Sequence, residues 1–401
     1  MVALLSNRRL LGATLGHFLQ DIWLGIVPIL MATASYEMVL TNAQVGLGYT
    51  LYESISGLTQ PFFGHLTERY GSRWFGVGGV LWTSLMVGMA GFAPNYLFLV
   101  TATGLAGLGS GAFHPQGTGN AAAAGGQDRR ATSAAVFFLG GTLGQALVGA
   151  ALGGLIMTYL GMRGIALLSA LVWVVALTVL RPALPSDAPR ISARSSHAES
   201  RVSRMTVSWL GVMLLLGAMA TRSMSRASFT GYMPKLWQDA GHSAAEYGFL
   251  LSLYLAGSAL GGVTGSFVAD KLGRKRVLLL TLALAIPAGL WLLYAEGFWA
   301  YVAAVVAGAV GGPAHTLLVV AAQEMIPGRL ALASGLAMGF TFVAGSAGLW
   351  LAGVVADQWG LLNTLTGTTL VLLVSIACIF VALPSDKRRQ TEAGGSPGGS
   401  L

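Results

Sequence analysis

Charge and cysteine are scarce in this sequence. Only 9% of its 401 residues are Asp, Glu, Lys or Arg, against about 25% in an ordinary soluble domain, and Cys378 is its one thiol. A single thiol makes neither an internal disulfide nor a Cys-rich metal site, so redox and zinc chemistry gain no support. The G-x-x-x-x-G-K-[ST] loop of nucleotide-driven pumps is missing, and no polar stretch is long enough to house it. There is no H-E-x-x-H pair and no nucleophile constellation. These absences argue against an enzyme, a metal or a cofactor.

What remains is apolar: 54% hydrophobic residues and 56 glycines, small enough to let helices approach closely in a membrane. Segments of about 20 apolar residues, the length that crosses the hydrocarbon of a bilayer, recur with short polar breaks. Twelve are expected: Leu10–Met31, Ala43–Leu66, Trp74–Gly91, Tyr96–Gly117, Ala131–Tyr159, Gly164–Leu180, Val207–Met233, Tyr247–Ala269, Val277–Tyr294, Phe298–Ala321, Leu330–Ala356 and Leu361–Leu383. The first is too long for the core of a cleaved signal peptide and reads as a retained helix.

The basic residues test this count, because loops on the cytoplasmic side carry an excess of Lys and Arg. With both termini inside, nineteen of the 23 fall on the inside, only Arg163 and Lys235 fall outside, and Arg222 and Arg226 lie within a span. A miscounted helix would scramble that split. The net charge of +8 is thus explained by topology rather than by nucleic acid.

The chain also repeats itself. At an offset of 201 to 202 residues, Leu51 and Tyr52 match Leu253 and Tyr254, His114 matches His315, and Asp21 stands opposite Arg222. The expected organisation is an all-α membrane protein: a six-helix bundle over 1–181, a Pro-, Ser- and Arg-rich linker over 182–206, a second bundle over 207–384, and a disordered tail over 385–401. Duplicated bundles of this kind place binding sites at the repeat interface near mid-membrane and work by rocking of the halves.

Seven titratable side chains fall inside the apolar spans: His17, Asp21, Glu53, His114, Arg222, Arg226 and His315. A full charge at the bilayer centre costs roughly 2.5 to 3.5 kcal/mol even on the lenient insertion scale, so these groups must face protein or a watery cavity. His17 and Asp21 are four apart and share a helix face, as do Arg222 and Arg226.

The loop after the second span, Gly64-His65-Leu66-Thr67-Glu68-Arg69-Tyr70-Gly71-Ser72-Arg73, resembles the G-x-L-x-D-R-x-G-R-R signature of the major facilitator superfamily, with Glu68 for Asp and Ser72 for Arg. A second copy follows one repeat later, carrying Asp270, Lys271, Gly273 and Lys275, with Ser266 for the first Gly. The expected role of Gly64, Glu68, Arg69, Gly71, Arg73 and their second-copy counterparts is a cytoplasmic gate: the acid pairs with basic groups or caps a neighbouring helix, holding the halves together.

Within the superfamily the chain is most similar to the fosmidomycin resistance protein family. Gly16-His17-Phe18-Leu19-Gln20-Asp21, Gln60-Pro61-Phe62-Phe63-Gly64, Gly109-Ser110-Gly111-Ala112-Phe113-His114-Pro115, Arg222-Ser223 and Gln323-Glu324-Met325-Ile326-Pro327-Gly328-Arg329 carry the likeness through both halves. It departs at Gln116, where the family often has an acid after His-Pro, so a proton-carrying role loses support there.

The resemblance implies a drug exporter exchanging substrate for protons by alternating access, and a central cavity lined mainly by helices 1, 4, 7 and 10, where His17, Asp21, His114, Arg222, Arg226 and His315 all fall. The expectation is a monomeric, multi-pass inner-membrane exporter of a small anionic or amphipathic compound, with the proton gradient as its energy source. An importer of an organic anion is the alternative, and a membrane sensor or embedded enzyme ranks below both.

Asp21, Glu53, His17, His114 and His315 are the expected proton carriers. Arg222, Arg226, His114, His315, Tyr52 and Tyr254 are the expected substrate contacts, the arginines because a planar guanidinium matches an oxyanion. Competing readings stand beside each: Asp21 with Arg222 as a fixed rather than a switching ion pair, the histidines as hydrogen-bonded core residues, Glu53 as a helix-packing hydrogen bond, and Arg226 reaching for the outer interface.

Overall fold

The computed structural model describes residues 7–70, 73–126, 129–184, 209–325 and 330–383. Most of the expected linker, the tail, Gly71 and the loop of Ile326 to Arg329 lie outside the described residues, as does the side chain of Glu68.

Twelve helical spans are present among the described residues, and no strand. They are α1 (Arg8–Glu37), α2 (Asn42–Tyr70), α3 (Trp74–Ala90), α4 (Tyr96–Gly125), α5 (130–160), α6 (162–183), α7 (Trp209–Asp239), α8 (Ala244–Leu272), α9 (Arg274–Tyr294), α10 (297–325, broken at Gly312), α11 (Leu330–Trp359) and α12 (Leu361–Ala382). Nine are long and apolar enough to cross a membrane; α3 is apolar but has 17 residues, while α2 and α7 are more polar. The deficit in α2 and α7 has a chemical cause, since they carry Glu53, Arg222 and Arg226. Several helices run past their apolar spans, α1 to Glu37 and α7 to Asp239, because chain outside the hydrocarbon continues the same hydrogen-bonded ladder.

Local sequence sets where helices begin. Asn7 accepts hydrogen bonds from the amides of Arg9 and Leu10, Asn95 from that of Phe98, and Ser243 forms a capping box with Glu246. Prolines 28, 61, 115, 234 and 287 lie inside helices, tolerated where neighbouring helices stabilise the interrupted ladder. Helix α1 is buried along most of its length, and the glycines of α5 let it lie against α1: a Cβ at Gly144 or Gly149 would strike the backbone of Phe18 or Ile22. Close packing is thus what these glycines serve, because apolar surface alone does not drive helices together in lipid. From Gly144 to Leu152 α5 is wound as a π-helix.

Helices α1–α6 and α7–α12 form two halves that meet unevenly. One apolar core runs through the first half and into the second at Phe229, Tyr232, Trp237, Leu250 and Leu349. A separate core of Leu215, Met219, Leu278, Leu318 and Ile379 fills the second half nearer the opposite end.

The hydrogen bonds between halves follow the same division. Asp357, in the last turn of α11, accepts from the first amides of α2, Asn42 at 2.7 Å and Ala43 at 3.0 Å. Thr158, in the last turn of α5, accepts from Ala245 at the start of α8 at 2.8 Å. The Tyr232 hydroxyl donates to Asn42 O, Thr33 meets the Tyr247 hydroxyl, and Thr50 and Ser54 bond to Ser346. All of these lie at the end holding the α1–α2, α7–α8 and α11–α12 connections; at the other end no hydrogen bond joins the halves among the described residues.

Two basic residues of the duplicated loop motif bond within their own halves. Arg73 donates to Arg181 O at 3.1 Å, and Lys275 donates to Phe380 O at 2.7 Å and to Leu383 O. The basic residue opening α3 or α9 therefore binds the free carbonyls at the end of α6 or α12 within its own half, where a cation also meets the negative end of the helix dipole. The expected link between halves is not what these basic residues make.

Candidate functional site

Two buried polar sites are present, one within each half. The first is built on α1 and α4. His17 and Asp21 lie one turn apart, and His17 Nε2 is 3.1 Å from Asp21 Oδ2. From α4, His114 brings its Nε2 to 3.5 Å from the other carboxylate oxygen, Oδ1. Asp21 is 8% exposed and His17 3%.

Helix α5 supplies the wall. The His17 ring stacks on Phe137 with centroids 4.0 Å apart. Gly141 lies so close that a Cβ there would come within 2.6 Å of His17 Nε2 and 2.7 Å of Asp21 Oδ2. Only a residue without a side chain leaves room for the cluster.

The far nitrogens decide the protonation chemistry. His17 Nδ1 is 2.8 Å from Phe137 O, and His114 Nδ1 is 2.8 Å from Ser110 O. A carbonyl only accepts, so both Nδ1 atoms carry hydrogens and donate. In a neutral imidazole of that tautomer Nε2 is a bare lone pair, which an ionised carboxylate repels. Each Nε2 contact with Asp21 is attractive only with a proton in it, so the cluster has places for two protons beyond neutral imidazoles and an ionised Asp. Its ligand atoms all lie within 4.8 Å of one another, the one such grouping of three His, Cys, Asp or Glu side chains among the described residues.

The second site takes its polar residues from α7 and α8 and is walled by apolar residues of α9, α10 and α12, Leu282, Ala285, Ala307 and Leu372 among them. Arg222, Ser225, Arg226, Phe229, Tyr254 and Ser258 line a pocket whose room for the centres of water molecules is about 40 Å³. Phe229 and Tyr254 stack in parallel, 6.2 Å between centroids. Arg222 is 5% exposed and donates to Gly311 O at 3.3 Å. Its other face, with Ser223 and His315, lines a smaller recess.

The expected ion pair between Asp21 and Arg222 does not form. Asp21 is taken by the two imidazoles, and among the described residues no carboxylate lies within 4.0 Å of Arg222 or Arg226. Repeat-related positions hold opposite charges, yet the partners found for each lie within its own half: two imidazoles for Asp21 and the Gly311 carbonyl for Arg222.

The remaining expected residues are placed as follows. Glu53 is buried on α2 and accepts from the Tyr49 hydroxyl at 3.1 Å, a partner one turn away rather than a Ser or Thr of another helix. Tyr52 is buried beside the histidine cluster and is not part of the arginine pocket, whereas Tyr254 is. Phe137 supplies an apolar wall and Gly141 the close approach, and a glycine-rich α5 is the trace of Gly141's role in the sequence.

The Major Facilitator Superfamily profile matches residues 13–224 and 214–399. The chain is 29% identical to the fosmidomycin resistance protein of Escherichia coli (strain K12) over 384 residues, 93% of this chain and 90% of that protein. It is 27% identical to the uncharacterized MFS-type transporter YfnC of Bacillus subtilis (strain 168), over 93% of this chain and 91% of that one. Among solved structures, a bacterial homolog of the human lysosomal transporter Spinster, inward-facing and occupied, superposes with a TM-score of 0.77 at 16% identity, covering 93% of this chain and 96% of that one.

Proposed function

We propose, on the premise that the chain belongs to the major facilitator superfamily of membrane transporters, that it is a proton-coupled exporter of small anionic or amphipathic compounds working by alternating access. The observation that carries this reading is the Asp21 carboxylate held between His17 and His114. With both Nδ1 atoms donating to carbonyls, each Nε2–Asp21 contact offers a place for a proton. The arginine pocket in the other half supplies the complementary element, a place for negative charge. A relative of 29% identity named for fosmidomycin resistance supports outward movement of a drug-like compound.

Coupling follows if proton occupancy of the cluster and substrate occupancy of the pocket favour opposite arrangements of the halves. A ligand shifts such an equilibrium only by its difference in affinity for the two states. The hydrogen bonds at the α1–α2 end hold one arrangement, and the charge bias of the loops puts that end outside, with both termini cytoplasmic in the inner membrane and the monomer as the working unit.

Reconstituted liposomes test the reading. For molecules with their cytoplasmic face outward, an acidic lumen is expected to drive accumulation of an anionic drug from the bath. Accumulation driven by the opposite gradient would establish import by symport, and no gradient-driven flux across a broad panel of drugs and organic anions would overturn proton coupling.

A further inference from the structure

We propose that the arginine pocket of the second half holds a small inorganic oxyanion whenever no organic substrate is bound. The inference rests on the reading of that pocket as an anion site and adds that the site is not left empty between substrates.

The argument starts from charge. Arg222 is 5% exposed, and its hydrogen-bond acceptor is one carbonyl oxygen, Gly311 O, at 3.3 Å. A guanidinium has five N–H donors and cannot shed its charge by losing a proton. Arg226 lines the same pocket one turn away, and no carboxylate stands within 4.0 Å of either among the described residues. Glu53, on α2 of the other half, acts on Arg226 from beyond that distance and is held by Tyr49. Asp21, at the repeat-related position, is occupied by imidazoles. Two like charges side by side in a low-dielectric interior are strongly destabilising unless an anion answers them.

The pocket's chemistry and size select the anion. Ser225, Ser258 and Thr369 line it beside the two guanidiniums. Planar forks and hydroxyls match the several oxygens of a tetrahedral oxyanion better than they match a halide. The room of about 40 Å³ is roughly three times what one water needs, enough for a small ion. An organic substrate therefore enters by displacing the small ion and widening the pocket, so that export becomes an exchange at the arginines.

Thermal unfolding of the purified full chain in detergent, with sodium phosphate compared against sodium chloride at equal ionic strength, tests the proposal. Phosphate is expected to raise the midpoint in a saturable way, since a ligand that binds only the folded state stabilises it. Arg222→Gln is expected to weaken half-saturation by at least about tenfold, the loss of a charge-assisted hydrogen bond, while Arg222→Lys keeps part of the effect. Equal midpoints in phosphate and chloride for the unaltered protein, or an unchanged phosphate response in Arg222→Gln, overturn the proposal. Should Arg222→Gln not fold, equilibrium binding of radiolabelled phosphate to the unaltered protein decides: about one site per chain, displaced by a transported anion, supports it, and no saturable binding overturns it. Gradient-driven drug flux without phosphate binding defeats this inference alone, whereas phosphate binding without such flux defeats the proposed export alone.

Discussion

The two halves place opposite charges at equivalent points and surround them differently. In the first half Asp21 has a histidine one turn before it and a second from α4. In the second half Arg222 has Ala218 at the position equivalent to His17, and His315, the counterpart of His114, lies beside it without offering an acceptor bond. The first charge is met by two imidazoles, whereas the second has no carboxylate within 4.0 Å among the described residues. Duplication preserved where a polar group sits, and divergence of one neighbour decided what it can bind.

The substitution expected to break this contrast most completely is Asp21→Asn. An amide removes the group that both imidazoles answer, and gradient-driven flux in liposomes is expected to fall to background. Driven flux that persists would show that the proton travels elsewhere, with Glu53 the next group to replace. Arg222→Gln acts on the other half: loss of a charge-assisted contact of about 1.5 to 3 kcal/mol weakens anion affinity about 10- to 100-fold, read from substrate binding to the purified protein. Acidifying the bath should not restore it, because the missing charge does not titrate.

Gly141→Ala sharpens the comparison without touching a titratable group. The new methyl strikes the His17 ring and the Asp21 carboxylate, and overpacking of this kind costs about 1 to 3 kcal/mol. The expected result is a lowered unfolding midpoint together with a displaced pH profile of transport; a change in stability with an unmoved profile would show that the cluster tolerates displacement. Smaller effects are expected at the closed end. Losing the Asp357 cap on α2 is worth about 0.5 to 2 kcal/mol, enough to shift the balance between arrangements several-fold, and cysteine accessibility from the α1–α2 side should rise in Asp357→Ala. Thr158→Ala removes the neutral counterpart on α8 and should give the same change with lower amplitude.

Much of the architecture is readable from local composition. The apolar spans, the split of basic residues and the 201-residue offset specify twelve helices in two related bundles, and a spacing of four puts His17 beside Asp21. The site's closure is not readable in this way. His114 reaches Asp21 from 93 positions away, Phe137 O turns the His17 ring, and Gly141 makes the space, three contributions from two other helices, α4 and α5. The loop motif shows the same limit. Its acidic and basic residues announce a helix-end device, but only the packing of α3 on α6 and of α9 on α12 shows that Arg73 and Lys275 serve helix ends inside their own halves.

Sequence alone determined that this chain crosses a membrane as two related helical halves with a few charges kept from lipid, because hydropathy, charge bias and repetition are properties of each segment against its solvent. Tertiary structure decided which partner each of those charges found. Asp21 and Arg222 look like a pair when written one above the other, yet a buried charge is settled by groups within a few ångströms, and those groups arrive from helices far apart in the chain.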